Sequence, residues 1–156
     1  MNKIRFVVTA LLFTIAFSAT AQKVKIKKKI AFVDGEAYLN LEDCDSYSCT
    51  YKSNAGVEIL SVQGDSFEKP NPVKRNPKYR GPYKATVTQR YSIINFLDFD
   101  LEFETELITR KQIVKNLYKN DVIDAEGNAS EENAKRFAKK FGKDISGTRP
   151  LQIIRN

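Results

Sequence analysis

The hydrophobic period of this chain changes once, between Leu107 and Thr109. Before that point apolar and polar residues alternate in runs, the pattern of strands with one buried face. After it they recur at three- and four-residue spacing, the pattern of amphipathic helices. Strands strung first and helices afterwards predict an α+β fold. The expected architecture is an antiparallel β-meander sheet of about five to six strands followed by a C-terminal pair of short α-helices packed on the sheet. Helices of about 11 residues are marginal alone, so both need the sheet.

Asp34-Gly35 is a preferred two-residue hairpin turn, because both central positions require φ > 0. It predicts a hairpin over residues 23–42. One face then pairs Phe32 with Ala37, Ile30 with Leu39 and Lys28 with Leu41. The other pairs Val33 with Glu36, Ala31 with Tyr38, Lys29 with Asn40 and Lys27 with Glu42. Residues 48–53 and 57–63 read as a second hairpin around Asn54-Ala55-Gly56, with Gly56 in the left-handed position of the loop. Residues 64–83 read as a long irregular loop, because Pro70, Pro72, Pro77 and Pro82 cannot donate to a ladder. Strand character returns over 84–96. Residues 98–107 then alternate, with Phe99, Leu101, Phe103, Thr105 and Leu107 on one side. Asp98, Asp100, Glu102, Glu104 and Glu106 fall on the other. No Gly or Pro marks Asn95 to Asp98, so a bent strand and a tight hairpin both fit there.

Thr109-Arg110-Lys111-Gln112 is a capping box, and Ile108 with Ile113 would form a hydrophobic staple. Ile113, Val114, Leu117 and Tyr118 make the apolar face of that helix. A second helix is expected from Ser130, with Glu131 and Glu132 at the positive end of its dipole. Ala134, Phe137, Ala138 and Phe141 line its apolar face, Lys139 and Lys140 occupy its last turn, and Gly142 stops it. Leu151 to Ile154 would add an edge strand.

Residues 1–21 have the layout of a cleavable secretory signal peptide: a basic start at Lys3 and Arg5, an apolar run from Phe6 to Phe17, and small residues before Gln22. The run is about 12 residues, short of the roughly 20 needed to span a bilayer. Residues 22–156 would then be a single exported α+β domain, periplasmic or secreted and not membrane-spanning after cleavage. Without Lys3 and Arg5, 24 basic residues face 19 acidic ones, a balance of +5. Such a mild charge aids solubility and implies no nucleic-acid partner. Cys44 and Cys49 are the only cysteines, and an even count in an oxidising compartment predicts a disulfide. So short a loop gains about 2 kcal/mol from closure.

The chain has no histidine, which removes the commonest general base, the Ser-His and Cys-His pairs and most zinc sites. No P-loop, nucleophile elbow or dinucleotide fingerprint is present. No metal or cofactor is expected. Residues 122–133 miss the first and twelfth carboxylates of an EF-hand, Val122 and Asn133 standing there, and read as a helix-to-helix turn.

Two charged features remain. Lys23, Lys25, Lys27 and Lys29 share the i, i+2 spacing of the acidic face at Asp98 to Glu106, which suggests that the two strands are neighbours. The loop at 64–83 carries Lys69, Lys74, Arg75, Lys78 and Arg80, interleaved with Tyr79 and Tyr83, a composition suited to docking an acidic protein or a polyanionic glycan. The expected function is an exported, non-enzymatic binding module for a protein or glycan partner in the cell envelope. An envelope-associated structural protein on anionic surfaces and a small carboxylate-dependent hydrolase are the alternatives.

Overall fold

The computed structural model describes residues 22–73, 78 and 82–149. The leader at 1–21 and the edge strand expected at Leu151 to Ile154 lie outside the described residues. The described chain forms a seven-stranded antiparallel sheet whose spatial order is its sequence order. The strands are β1 (Val24–Lys27), β2 (Ile30–Val33), β3 (Glu36–Glu42), β4 (Ser48–Lys52), β5 (Glu58–Pro70), β6 (Thr86–Phe96) and β7 (Leu101–Thr105). Two helices follow, α1 (Arg110–Lys119) and α2 (Glu131–Phe141), then a 3-10 turn at Ser146–Thr148. This is the expected meander and helix pair with additional strands.

The first extra strand comes from a turn that its residues do not advertise. Lys28 and Lys29 both take positive φ, +48° and +67°, and fold β1 back on β2. Left-handed backbone costs a side-chain-bearing residue roughly 1–2 kcal/mol. Val24 and Ile26 offset that cost by packing on the core opposite Val33 and Ala31. The lysine ladder is therefore interrupted: Lys25 and Lys27 lie on β1, whereas Lys29 is in the turn. The second extra strand comes from the 97–100 turn, which makes 84–107 a hairpin of β6 and β7.

Asp34-Gly35 turns β2 into β3 as expected, with Phe32 opposite Ala37 and Val33 opposite Glu36. Beyond them a bulge moves the register by one, so Ala31 opposes Leu39 and Ile30 opposes Asn40. The bulge lets the consecutive residues Tyr38 and Leu39 both be buried. Gly56 has φ +87° in the β4–β5 turn.

Both helices and their linker cover one face of the sheet. Ile113, Val114, Leu117, Val122, Ile123, Ala134 and Phe137 close over Leu39, Leu41, Tyr51, Leu60, Ile94 and Phe96. The capping box at Thr109 and Gln112 is formed in both directions. Gly142 ends α2 without left-handed backbone, at φ −70°. It instead bridges to Thr105 at the edge of β7, and a Cβ there would stand 2.4 Å from the Ala138 carbonyl oxygen.

The irregular loop is shorter than 64–83. β5 continues to Pro70 and pairs with β6 back to Thr86, leaving 71–85 as the connection. Pro70 closes the ladder without needing to donate, because its partner Thr86 opens β6. Since β4 pairs only as far as Gln63 and β7 only as far as Ser92, residues 64–70 and 86–91 project beyond them as a two-stranded arm rooted at Ser92. Its paired length is about 20 Å at the rise of an antiparallel strand.

β1 and β7 stand at opposite edges of the sheet, so the lysines and the acids are not neighbours. The acids are not one ladder either. Asp98 and Asp100 lie in the 97–100 turn, Glu102 and Glu104 on β7, and Glu106 beyond its end.

Candidate binding cleft

The helix-free face of the sheet carries a strap made by the last described residues. After Gly142 the chain passes the edge of β7, where the Lys143 amide donates to the Glu104 carbonyl at 2.9 Å. The Glu104 carboxylate accepts from the Ile145 and Ser146 amides, both at 2.7 Å. Partial desolvation pushes this carboxyl upward, but the bonds from Ser146 and Ile145 win and hold it below its ordinary value. Lys143 pairs with Glu106. Ile145 then packs with Phe67 and Tyr91 in a small second core at the root of the arm.

Arg149 completes the fastening. Its guanidinium lies 2.9 Å from the Asp65 carboxylate and 5.3 Å above the Phe67 ring. The Tyr91 hydroxyl donates to the same carboxylate at 2.6 Å. That bond, the Ser66 amide and Arg149 hold Asp65 below the usual carboxylate range.

On the opposite side, the arm root forms a wall of the best candidate site. A cleft of about 430 Å³ lies between the arm, the disulfide loop and the start of α1. The arm contributes Ser66, Thr88, Arg90 and Ser92, the loop contributes Ser46 and Tyr47, and Ile108 and Thr109 close the third side. Hydroxyls and amphipathic groups thus dominate the lining. The Tyr47 ring is 72 % exposed, and Arg90 is exposed with no partner for its guanidinium among the described residues.

Each wall is anchored separately. Cys44 and Cys49 are joined by a disulfide, as the sequence predicts. Within that loop Asp45 accepts from the Ser48 amide at 2.5 Å and the Tyr47 amide at 2.6 Å, bonds that lower its pKa. The Arg110 guanidinium donates to the Asp45 carbonyl and ties the loop to α1. The Gly64 amide donates to the Tyr47 carbonyl, and a Cβ on Gly64 would lie 3.3 Å from that oxygen. Glycine at 64 therefore permits the close approach of loop and arm.

Adjoining the cleft is a smaller surface pocket of about 60 Å³ that shares Ser46, Tyr47, Gly64, Ser92 and Ile108 with it. Tyr51 also lines this pocket. Its side chain is fully buried and its hydroxyl has no hydrogen-bond partner. Burial pushes the phenol upward, with the Arg110 charge opposing it. Tyr38, by contrast, lines the cleft of about 420 Å³ near Tyr118 and its phenol donates to the Ile123 carbonyl at 3.0 Å. Asp124 in that second cleft likewise accepts from Asn128.

Of the loop residues singled out from sequence, Lys74, Arg75, Tyr79 and Arg80 lie outside the described residues. Lys69 is on β5, where its ammonium donates to the Gln89 side chain at 2.5 Å. Lys78 is exposed. The Tyr83 hydroxyl donates to the Val73 carbonyl at 3.0 Å within the 71–85 connection. Among the described residues, no group of three or more acids and cysteines is arranged to hold a metal ion. None of their helices is long and apolar enough to cross a membrane.

Sequence reasoning missed Tyr47, Tyr51, Arg90 and Arg110. The capping box locates Arg110, and the cysteine pair locates Tyr47. Only the antiparallel register of β5 and β6 brings Arg90 beside them. No protein-family model, curated protein or solved structure matches this chain.

Proposed function

We propose that this protein is an exported, non-enzymatic binding module that holds its partner in the cleft between arm, disulfide loop and α1. The observation that carries the reading is the separate fastening of three polar walls around one concavity, by the disulfide, by the capped start of α1 and by the strap behind the arm. Pre-organised walls reduce the ordering cost of binding. The nearby carboxylates support binding over acid–base chemistry. Asp45 and Asp65 are both engaged by internal donors and held ionised, whereas a general base works best near the ambient pH. The disulfide and the leader-like residues 1–21 support export, since such bonds persist in oxidising compartments.

The test places a photo-crosslinking residue at Tyr47, or at Lys115 on the exposed side of α1, in the native cells. The expected outcome is one dominant adduct from position 47 and none from 115. Equal adducts from both positions, or none from either, would remove the cleft from the function.

A further inference from the structure

We infer that the open edge of β1 takes an extended segment of a partner protein, alternating aliphatic and acidic residues, as an antiparallel eighth strand. The site is separate from the cleft, which it meets only at Ser46, Ile108 and Thr109. It goes beyond the cleft as a binding site and does not depend on it.

The two edges of the sheet are finished differently. At β7 the chain caps its own edge, with the Lys143 amide on the Glu104 carbonyl and Gly142 bridged to Thr105. Beside β1 no strand stands on the outer side among the described residues. The Asp34 amide donates to the Lys23 carbonyl at 3.1 Å, and the Lys23 amide donates back to the Asp34 side chain at 2.9 Å. The backbone groups of Lys23 therefore face β2, and by alternation so do those of Lys25 and Lys27. The N–H and C=O of Val24 and Ile26 point away from the sheet, where another strand can bond them.

The two faces beside this edge ask for different side chains. Residues opposite one another across an antiparallel ladder share a face. Those opposite Val24 and Ile26 fall on the helix side, where Val24 and Ile26 themselves pack on the core. There Ile26 shares a shallow depression with Ile108, Thr109 and Lys111 at the start of α1. Ile108 is 48 % exposed, and an aliphatic side chain would cover it together with Ile26. Those opposite Lys25 and Lys27 fall on the helix-free side. Both lysines are exposed and carry no ion pair among the described residues. Carboxylates at these positions would complete two cross-strand charge pairs.

The same lysines exclude a second copy of the chain. Setting β1 against β1 would bring lysine against lysine, a device by which edge strands avoid pairing with themselves. An acidic strand is admitted by the charges that turn the copy away. A polyanion without an extended backbone would meet the lysines alone and leave the outward amides and Ile108 unused.

The experiment titrates the purified, oxidised protein with a capped octapeptide alternating valine and glutamate, and follows the backbone amides by NMR. Exchange of the Val24 and Ile26 amides is expected to slow as the peptide is added. The same peptide with N-methylated valines should not bind, because in antiparallel pairing those are the amides that face β1. Lys25→Glu with Lys27→Glu should weaken the glutamate peptide about tenfold and admit one alternating valine and lysine. That gain of binding also shows that the variant is folded. Equal binding of the N-methylated peptide would overturn strand addition. Octaglutamate binding as tightly would reduce the site to bare charge and overturn the alternation. Val24 and Ile26 amides that become protected in the protein alone as its concentration rises would assign the edge to a second copy instead. No change at these amides with any peptide would also overturn the proposal, while crosslinking from position 47 in cells would still uphold the cleft.

Discussion

At the scale of single residues, two glycines separate backbone strain from crowding. Gly35 and Gly127 have similar φ, +102° and +90°. A Cβ on Gly35 would meet nothing within 4 Å, whereas one on Gly127 would stand 2.4 Å from the Ser53 Cβ. Ser53 is buried and has little room to yield. Gly35→Ala should therefore cost about 1 kcal/mol, the strain alone. Gly127→Ala should cost about 3 kcal/mol or more, adding overpacking to strain. Chemical denaturation of the two variants checks the difference; equal midpoints would show that the 122–130 turn relaxes. Gly127 was visible in the sequence as a turn residue. Its contact with Ser53, distant in the chain, was not, because no local pattern encodes which strand a helix-to-helix turn will touch.

Among the elements, the strap and the arm form a unit whose strength depends on pH. Asp65 and Glu104 both have folded-state pKa values below their ordinary 3.8 and 4.5. A depressed carboxylate contributes stability that is complete above its unfolded value and is lost as pH falls through the folded one. Protection of the arm-root amides, measured by hydrogen exchange, should thus be level from pH 7 to pH 5, corrected for intrinsic rates. It should then fall below the unfolded carboxyl values. Asp65→Asn together with Glu104→Gln should give weak protection throughout and flatten the dependence; an unchanged profile would refute the fastening. The elements themselves were largely legible. The Asp34-Gly35 turn, the Gly56 loop, the capping box and the second helix all follow from local chemistry. The misread places were those where tertiary burial prevailed: lysines forced left-handed to seat Val24 and Ile26, a bulge that buries Tyr38, and a strand running on to Pro70. The cleft was the least legible feature, since its walls come from segments far apart in the sequence.

For the whole molecule, the meander places the basic β1 and the acidic β7 at opposite edges. Reversing Glu102 and Glu104 to Lys should destabilise the protein, chiefly through Glu104, which holds the Ile145 and Ser146 amides. Adding Lys25→Glu and Lys27→Glu should bring no rescue, the effects summing as they do for distant sites. Recovery of the melting temperature in the quadruple variant would contradict the strand order. The same order has a temporal meaning. When a chain emerges from its N-terminus onward, every strand of this sheet finds its partner already present, and the ladder grows in one direction without waiting. The helices and then residues 143–149 reach back to strands already laid down, and 143–149 are the last described residues to do so. A copy halted before Lys143 would own the full ladder and a loose arm, so the stiffness of the arm is a record that synthesis has passed Arg149.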